Sequence, residues 1–306
     1  MLLSLQSDTF AAAERRLFAH YGVVAERRRL KLADPAMTIA AHESGRGEPV
    51  VFVHGSGMSG ATWAPLLAHL DDRRAITLDL PGFGGSDPYS YTGRSLRRHA
   101  VAQLESALDA LGLERAALVG TSLGAYWALS LALDRPDRVW SVTTLGVPAV
   151  ALQGMRANAF FRVLSTPGLA RLVARAPTPK TVEATRKAMA AVLGERALDR
   201  TPDVFFDVVR LGMRQPGWSV AMRTHLALAM RAGRVRPGNV FSDDELRSIR
   251  MPVQLIWGDD DVYGGPEMGR HAADVLPDAR LEVLEGGHAP FLDDPERCAQ
   301  LIRRIT

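Results

Sequence analysis

The stretch AALVGTSLGAYWALSLALD, residues 116–134, decides the fold. Its first third, AALVGT, reads as a strand. The remainder, LGAYWALSLALD, reads as a helix. Between them Gly120-Thr121-Ser122-Leu123-Gly124 puts a serine where a strand ends and a helix begins, the context that gives G-x-S-x-G its meaning. The backbone must double back sharply there, and glycine on both sides of the serine leaves room for it. The turn lifts the Ser122 hydroxyl clear of the sheet. The helix aims its first N–H groups at the same place.

Working outward, strands and helices alternate. PVVFV (49–53) is a short apolar strand ending on His54-Gly55, and RAITLDL is another. ATWAPLLAHL and LRRHAVAQLESALDALG are helices, the second closed by Gly112. Further on, RVWSVTTLG, PVQLIWG and ARLEVLE are strands, while MGRHAADVL and PERCAQLIRRI are helices. Such alternation predicts an α/β protein with a parallel sheet and helices on both faces. Residues 26–33 and 37–42 read as two further strands, and 8–20 as an amphipathic helix that Asp8 can cap. The rhythm breaks between 150 and 240, which reads as helices only, punctuated by Pro167-Gly168, Pro177, Pro179, Pro202, Pro216-Gly217 and Pro237-Gly238. The expected organisation is an N-terminal helical extension (1–25), a core (26–149 and 241–306), and a helical cap (150–240) inserted between two strands of that core. The plainer alternative is that 150–240 is ordinary core.

Composition excludes several classes. At 306 residues, with 47% hydrophobic and 23% charged residues, the chain has the balance of a globular protein with a sizeable core. No apolar run reaches the roughly 20 residues of a membrane span. The start, MLLSLQSDTF, has no basic n-region or cleavage-site pattern, so no secretory signal is expected. A single cysteine, Cys298, allows no internal disulfide and fits a cytoplasmic location, with Cys298 packing a helix. The net charge of +3 is weak. The densest basic cluster, Arg27, Arg28, Arg29 and Lys31, has no interleaved aromatics to stack bases, so it reads as a solvated edge and nucleic acid is not expected. No Walker loop, zinc spacing or dinucleotide fingerprint appears, and Gly82-Phe83-Gly84-Gly85 lacks the fingerprint spacing. Neither cofactor nor metal is therefore expected. The expected partner is a small-molecule substrate, bound by a monomer or a homodimer.

A serine hydroxyl needs a base to take its proton. Of eight histidines, His288 in Leu284-Glu285-Gly286-Gly287-His288-Ala289 lies after one strand and before the last helix, where open α/β sheets bind ligands. His54 also ends a strand but precedes the nucleophile and reads as loop scaffold, while His225 falls within 150–240. The base needs an acid to fix its tautomer. Asp259, Asp260 and Asp261 follow the strand PVQLIWG, which gives the chain order Ser…Asp…His. RVWSVTTLGVP, the strand before it, ends without an acid. The oxyanion calls for the N–H of Leu123 and one from the loop His54-Gly55-Ser56-Gly57. Met58 and Ala289 are the candidate substrate contacts. The glycine-dense loop Asp79–Asp87 reads as a packed turn supporting the site.

Taken together, HGSG, DLPGFGGSD, GTSLGA, the G-D-D-D run and EGGHAPFLDDPE resemble, in order and over roughly residues 25–305, the motif series of the α/β-hydrolase superfamily. The resemblance implies a mostly parallel eight-stranded sheet, Asp261 as the acid, and the Ser56 N–H as the second oxyanion donor. Aspartate-nucleophile members of the fold are set aside by Ser122. The loop HGSGMSGATW is similar to that of carbon–carbon bond hydrolases, but Ala289-Pro290-Phe291 follows the histidine where those usually carry a tryptophan. The expected activity is therefore hydrolysis of a carboxylic ester through an acyl-enzyme. The alternatives are carbon–carbon, lactone, amide or thioester hydrolysis on the same residues, or a poorly catalytic binding protein of this fold. A p-nitrophenyl ester assay separates the last from the others, and meta-cleavage diketones separate ester from carbon–carbon chemistry.

Overall fold

The computed structural model describes residues 9–166, 168–169 and 178–306. Eight strands form one sheet: β1 (Ala25–Leu32), β2 (Met37–Ser44), β3 (Pro49–Val53), β4 (Arg74–Leu78), β5 (Ala116–Thr121), β6 (Val139–Leu145), β9 (Val253–Gly258) and β10 (Ala279–Leu284). Their order is β1-β2-β4-β3-β5-β6-β9-β10. β2 runs against both neighbours, and every other adjacent pair is parallel. The expected fold class is thus the observed one.

Burial follows from position. Every residue of β5 is buried, as the unbroken apolar run requires. The period of two then splits each central strand between two cores: Val51, Val53 and Leu118 face one, while Val50, Phe52, Ala117 and Val119 face the other. Leu96–Leu111 and Leu123–Asp134 cover the first face, and Phe10–His20 and Pro295–Arg303 the second. Ser95 caps the helix Leu96–Leu111, its side chain accepting the Arg98 N–H, and Gly112 closes it at φ 69°. Cys298 is buried in the second core. The edge strand β1 carries its basic residues into ion pairs, Arg28 with Glu43 at 2.6 Å and Arg29 with Asp87 at 3.0 Å, which keeps the edge from pairing further.

The N-terminal helix starts at Phe10, and its cap is Thr9, whose hydroxyl accepts the Ala12 N–H at 3.2 Å. Asp8, the expected cap, lies outside the described residues. Among the described residues, the α-helices between β6 and β9 are Ala159–Leu164, Val182–Leu193, Glu195–Arg200, Asp203–Gly212, Trp218–Ala229 and Asp243–Ser248. The reading of that interval as helices only needs one correction. Two short strands, β7 (Met230–Arg231) and β8 (Arg234–Val235), pair antiparallel. Ala232 (φ 48°) and Gly233 (φ 77°) turn the chain between them, the two positive φ values of a two-residue hairpin turn. This segment feeds both cores: Ala221, Met222 and Leu226 join the first, and Met189, Leu193, Phe205 and Phe206 the second. Among the described residues no helix is long and apolar enough to cross a membrane.

Candidate active site

Ser122 occupies φ 51°, ψ −117°, a conformation a non-glycine residue adopts at a cost of about 1–3 kcal/mol. The surroundings hold it there. A Cβ at Gly120 would lie 2.5 Å from the Ala125 nitrogen, and one at Gly124 would collide with the Val53 carbonyl oxygen. Strand, turn and helix can approach this closely only with glycine at both positions. Ser122 is the N-cap of Leu123–Asp134, so the Leu123 N–H belongs to the first turn, whose donors have no intrahelical partner.

The loops that follow β3, β5, β6, β9 and β10 gather at the same end of the sheet. His288 and Asp261 meet there. The His288 Nδ1–H donates to Asp261 Oδ2 at 2.9 Å, and both side chains are almost wholly buried. Asp261 is held on both oxygens. Oδ2 also accepts the Val147 N–H at 2.8 Å, and Oδ1 accepts the Tyr263 N–H at 2.9 Å. The strand β6, which brings no acid, thus brings a donor. Asp259 and Asp260 are exposed. Asp259 instead accepts the Gly286 N–H at 3.0 Å and faces Arg196 at 3.4 Å. The Tyr263 ring packs edge-on against His288, with centroids 4.4 Å apart. The His288 N–H donates to the Leu193 carbonyl at 3.2 Å, which ties this loop to the inserted helices. Gly287 donates to Asp293 Oδ2 at 2.9 Å.

The loop after β3 passes over the serine. A Cβ on Gly55 would lie 3.3 Å from Ser122 Cβ. His54 is scaffold: its Nε2 accepts the Leu80 N–H at 3.0 Å, and burial pulls its pKa down to about 4. Asp79 supports the same region, accepting the N–H groups of Gly60 and Gly85 at 2.6 Å each.

Ser122, His288, Ser56, Met58, Ala289 and Tyr263 line one narrow cavity of about 30 Å³. It adjoins a larger one of about 280 Å³ that shares Ser56, Met58, Phe161 and Val192 with it. Apart from Ser56, Thr178, Ser219 and Arg223, that larger cavity is walled by apolar side chains and Gly57. A groove of about 700 Å³ near Gln153, Asp243, Glu267 and His271 is bigger still but contains none of these residues. Among the described residues, one group of three metal-type ligands occurs, Glu14, His42 and Asp79, all buried. None of the three lines the cavities at Ser122.

Sequence reasoning missed the places that Tyr263 and the helix Trp218–Ala229 take at the site. Tyr263 follows Asp261 by two residues, and only the turn geometry swings its ring onto His288. Trp218 and His225 carry a faint signal, the one-face spacing of i and i+7, which core residues share.

A fold, a strained serine and a buried histidine–carboxylate pair at one sheet end define an α/β hydrolase. The chain belongs to the alpha/beta hydrolase fold family, whose model matches residues 48–295. It is 30% identical over 270 residues to a 2-hydroxy-6-oxononadienedioate/2-hydroxy-6-oxononatrienedioate hydrolase of Paraburkholderia phymatum, covering 85% of this chain and 88% of that one. Carboxylesterase CesB of Bacillus subtilis superposes with a TM-score of 0.75 at 21% identity, covering 97% of this chain and 96% of that one. Naproxen esterase of Bacillus subtilis gives 0.75 at 20% identity, covering 98% and 99%. Both structures are similar in fold.

Proposed function

We propose that this α/β hydrolase is a serine esterase with Ser122 as nucleophile, His288 as base and Asp261 as orienting acid. The observation that carries the reading is the His288 Nδ1–Asp261 Oδ2 bond beside the strained Ser122. It commits Nδ1 to the carboxylate and leaves Nε2 for the serine. Ser122 Oγ attacks the ester carbonyl as its proton passes to Nε2. The N–H groups of Leu123 and Ser56 receive the developing oxyanion. The tetrahedral intermediate collapses, the alkoxide leaves with the proton from His288, and water repeats the sequence on the acyl-enzyme. The inserted helices act as a cap that shapes the pocket and excludes water. The larger cavity's apolar walls support an ester with one apolar group of moderate size.

Hydrolysis of p-nitrophenyl esters tests the reading. Turnover is expected, and Ser122→Ala should remove about 10⁶-fold of kcat without unfolding the chain. Retention of a tenth of the wild-type rate by that variant would end the serine mechanism. The name of the Paraburkholderia relative favours a second reading, carbon–carbon bond hydrolysis on the same three residues. Faster turnover of a meta-cleavage diketone than of any ester in a chain-length series would establish it instead.

A further inference from the structure

One inserted helix reaches the loop that carries Ser56 at two points. On Trp218–Ala229, residues 218, 222 and 225 share a face. Trp218 Nε1–H donates to the Gly57 carbonyl at 3.0 Å. His225, wholly buried, lies 3.0 Å through Nε2 from the Ser56 hydroxyl. The ring's protonation is fixed by its other side. Nδ1 lies 2.9 Å from the Ala221 carbonyl, which can only accept, so Nδ1 carries the hydrogen and Nε2 is bare. The Ser56 hydroxyl must therefore donate to His225. Burial pulls the His225 pKa down to about 4, which keeps this arrangement through the neutral range. The rings of Phe83 and Tyr91 meet His225 edge-on at 5.7 and 5.9 Å and hold it in place. Gly57 takes φ 79°, a left-handed turn, and a Cβ there would lie 3.3 Å from the Trp218 ring.

We propose that the helix Trp218–Ala229 sets the aim of the Ser56 N–H, with His225 and Trp218 as positioning residues for the oxyanion. The inference rests on the serine-hydrolase reading above. The two contacts pin the chain just past the donor. One fixes the side chain on the Cα that follows the Ser56 N–H and the other the carbonyl of Gly57, while the peptide that carries the N–H is held at its other end, where the Gly55 carbonyl accepts the Met58 N–H at 3.2 Å. The inserted segment is then part of the catalytic geometry as well as a cover. A donor must point to where the oxyanion forms and gains little from pointing at the ground-state carbonyl.

The test compares wild type with His225→Ala, His225→Gln, Ser56→Ala and Trp218→Phe. Removing an oxyanion donor outright costs about 10²–10³ in kcat, so loosening one should cost about 10- to 100-fold in kcat with KM changed less than about threefold. His225→Gln, whose carbonyl can accept from Ser56, should recover most of the loss. Binding of a trifluoromethyl ketone, which forms a hemiketal oxyanion on Ser122, should weaken in parallel with kcat/KM. Binding of the matching methyl ketone should stay constant. Ser56→Ala keeps the backbone N–H and serves if His225→Ala unfolds. Trp218→Phe should show the smallest loss. Full kcat in Ser56→Ala, or in a folded His225→Ala, would overturn the proposal, as would equal weakening of both ketones. Absence of Ser122-dependent turnover in the wild type would instead overturn the functional reading, and this inference with it.

Discussion

Among the described residues two buried histidines meet carboxylates, and the contrast shows what turns such a pair into a site. His288 bonds Asp261 at 2.9 Å, and its ring lines a cavity shared with Ser122. His42, on β2, lies 3.7 Å from Glu14 on the N-terminal helix, with Asp79 from the end of β4 close by. Asp261 has a donor on each oxygen, whereas both Glu14 oxygens are buried without a hydrogen-bond partner. Arg27 approaches Glu14 at 3.9 Å and balances its charge. The first cluster is satisfied and faces a nucleophile. The second fastens a helix to the sheet edge with charge. Burial and a histidine–carboxylate pair are common to both, so the strained serine and the space beside it make the difference.

The largest effect should come from the first cluster. Asp261→Asn should cost about 10⁴ in kcat by favouring the wrong histidine tautomer, while Asp259→Asn and Asp260→Asn stay near wild type. Steady-state kinetics on the three variants checks this, and a crippled Asp259 or Asp260 variant would move the acid's role.

The second cluster should answer in stability. Glu14→Gln removes one member of a buried charge set, a change that costs about 3–5 kcal/mol in such settings. Denaturant melts should register that loss with kcat within about twofold, since Glu14 lines none of the cavities at Ser122. A loss of activity without a loss of stability would give the second cluster a part in catalysis.

A smaller effect is the pH dependence of that stability. Burial alone would lower the His42 pKa, but Glu14 and Asp79 outweigh burial and Arg27, and the net shift is upward. Burial, then Glu14, also raises the Asp79 pKa. In both cases the folded chain holds its proton more tightly than the unfolded one. The His42 contribution is therefore complete below about pH 6.5 and lost as pH rises through the raised value. The gap in melting temperature between wild type and His42→Gln should shrink from pH 6 to pH 9. A gap that widens over that range would reverse the sign and break the assignment of charge to His42.

The sequence announced the first cluster and concealed the second for a physical reason. Gly120, Ser122 and Gly124 sit within five residues, and backbone crowding forces that local pattern. Asp261 and His288 each follow a strand, so the parallel sheet delivers both to one end. Glu14, His42 and Asp79 come from a helix and two separate strands with no local constraint linking them. Their meeting depends on how the N-terminal helix packs, which side-chain periodicity does not specify. The same holds for His225 and Trp218, whose spacing is that of any buried helix face. Local pattern leaves Asp259, Asp260 and Asp261 open, the family resemblance favours Asp261, and the turn that buries it and exposes the other two is the physical reason.

The most direct measurement is mass spectrometry of the protein mixed with a p-nitrophenyl ester and quenched within the first turnover. The expected result is one added acyl group on the peptide bearing Ser122, absent from Ser122→Ala. Acylation at another residue, or steady p-nitrophenol release from Ser122→Ala at the wild-type rate, would contradict a Ser122 acyl-enzyme.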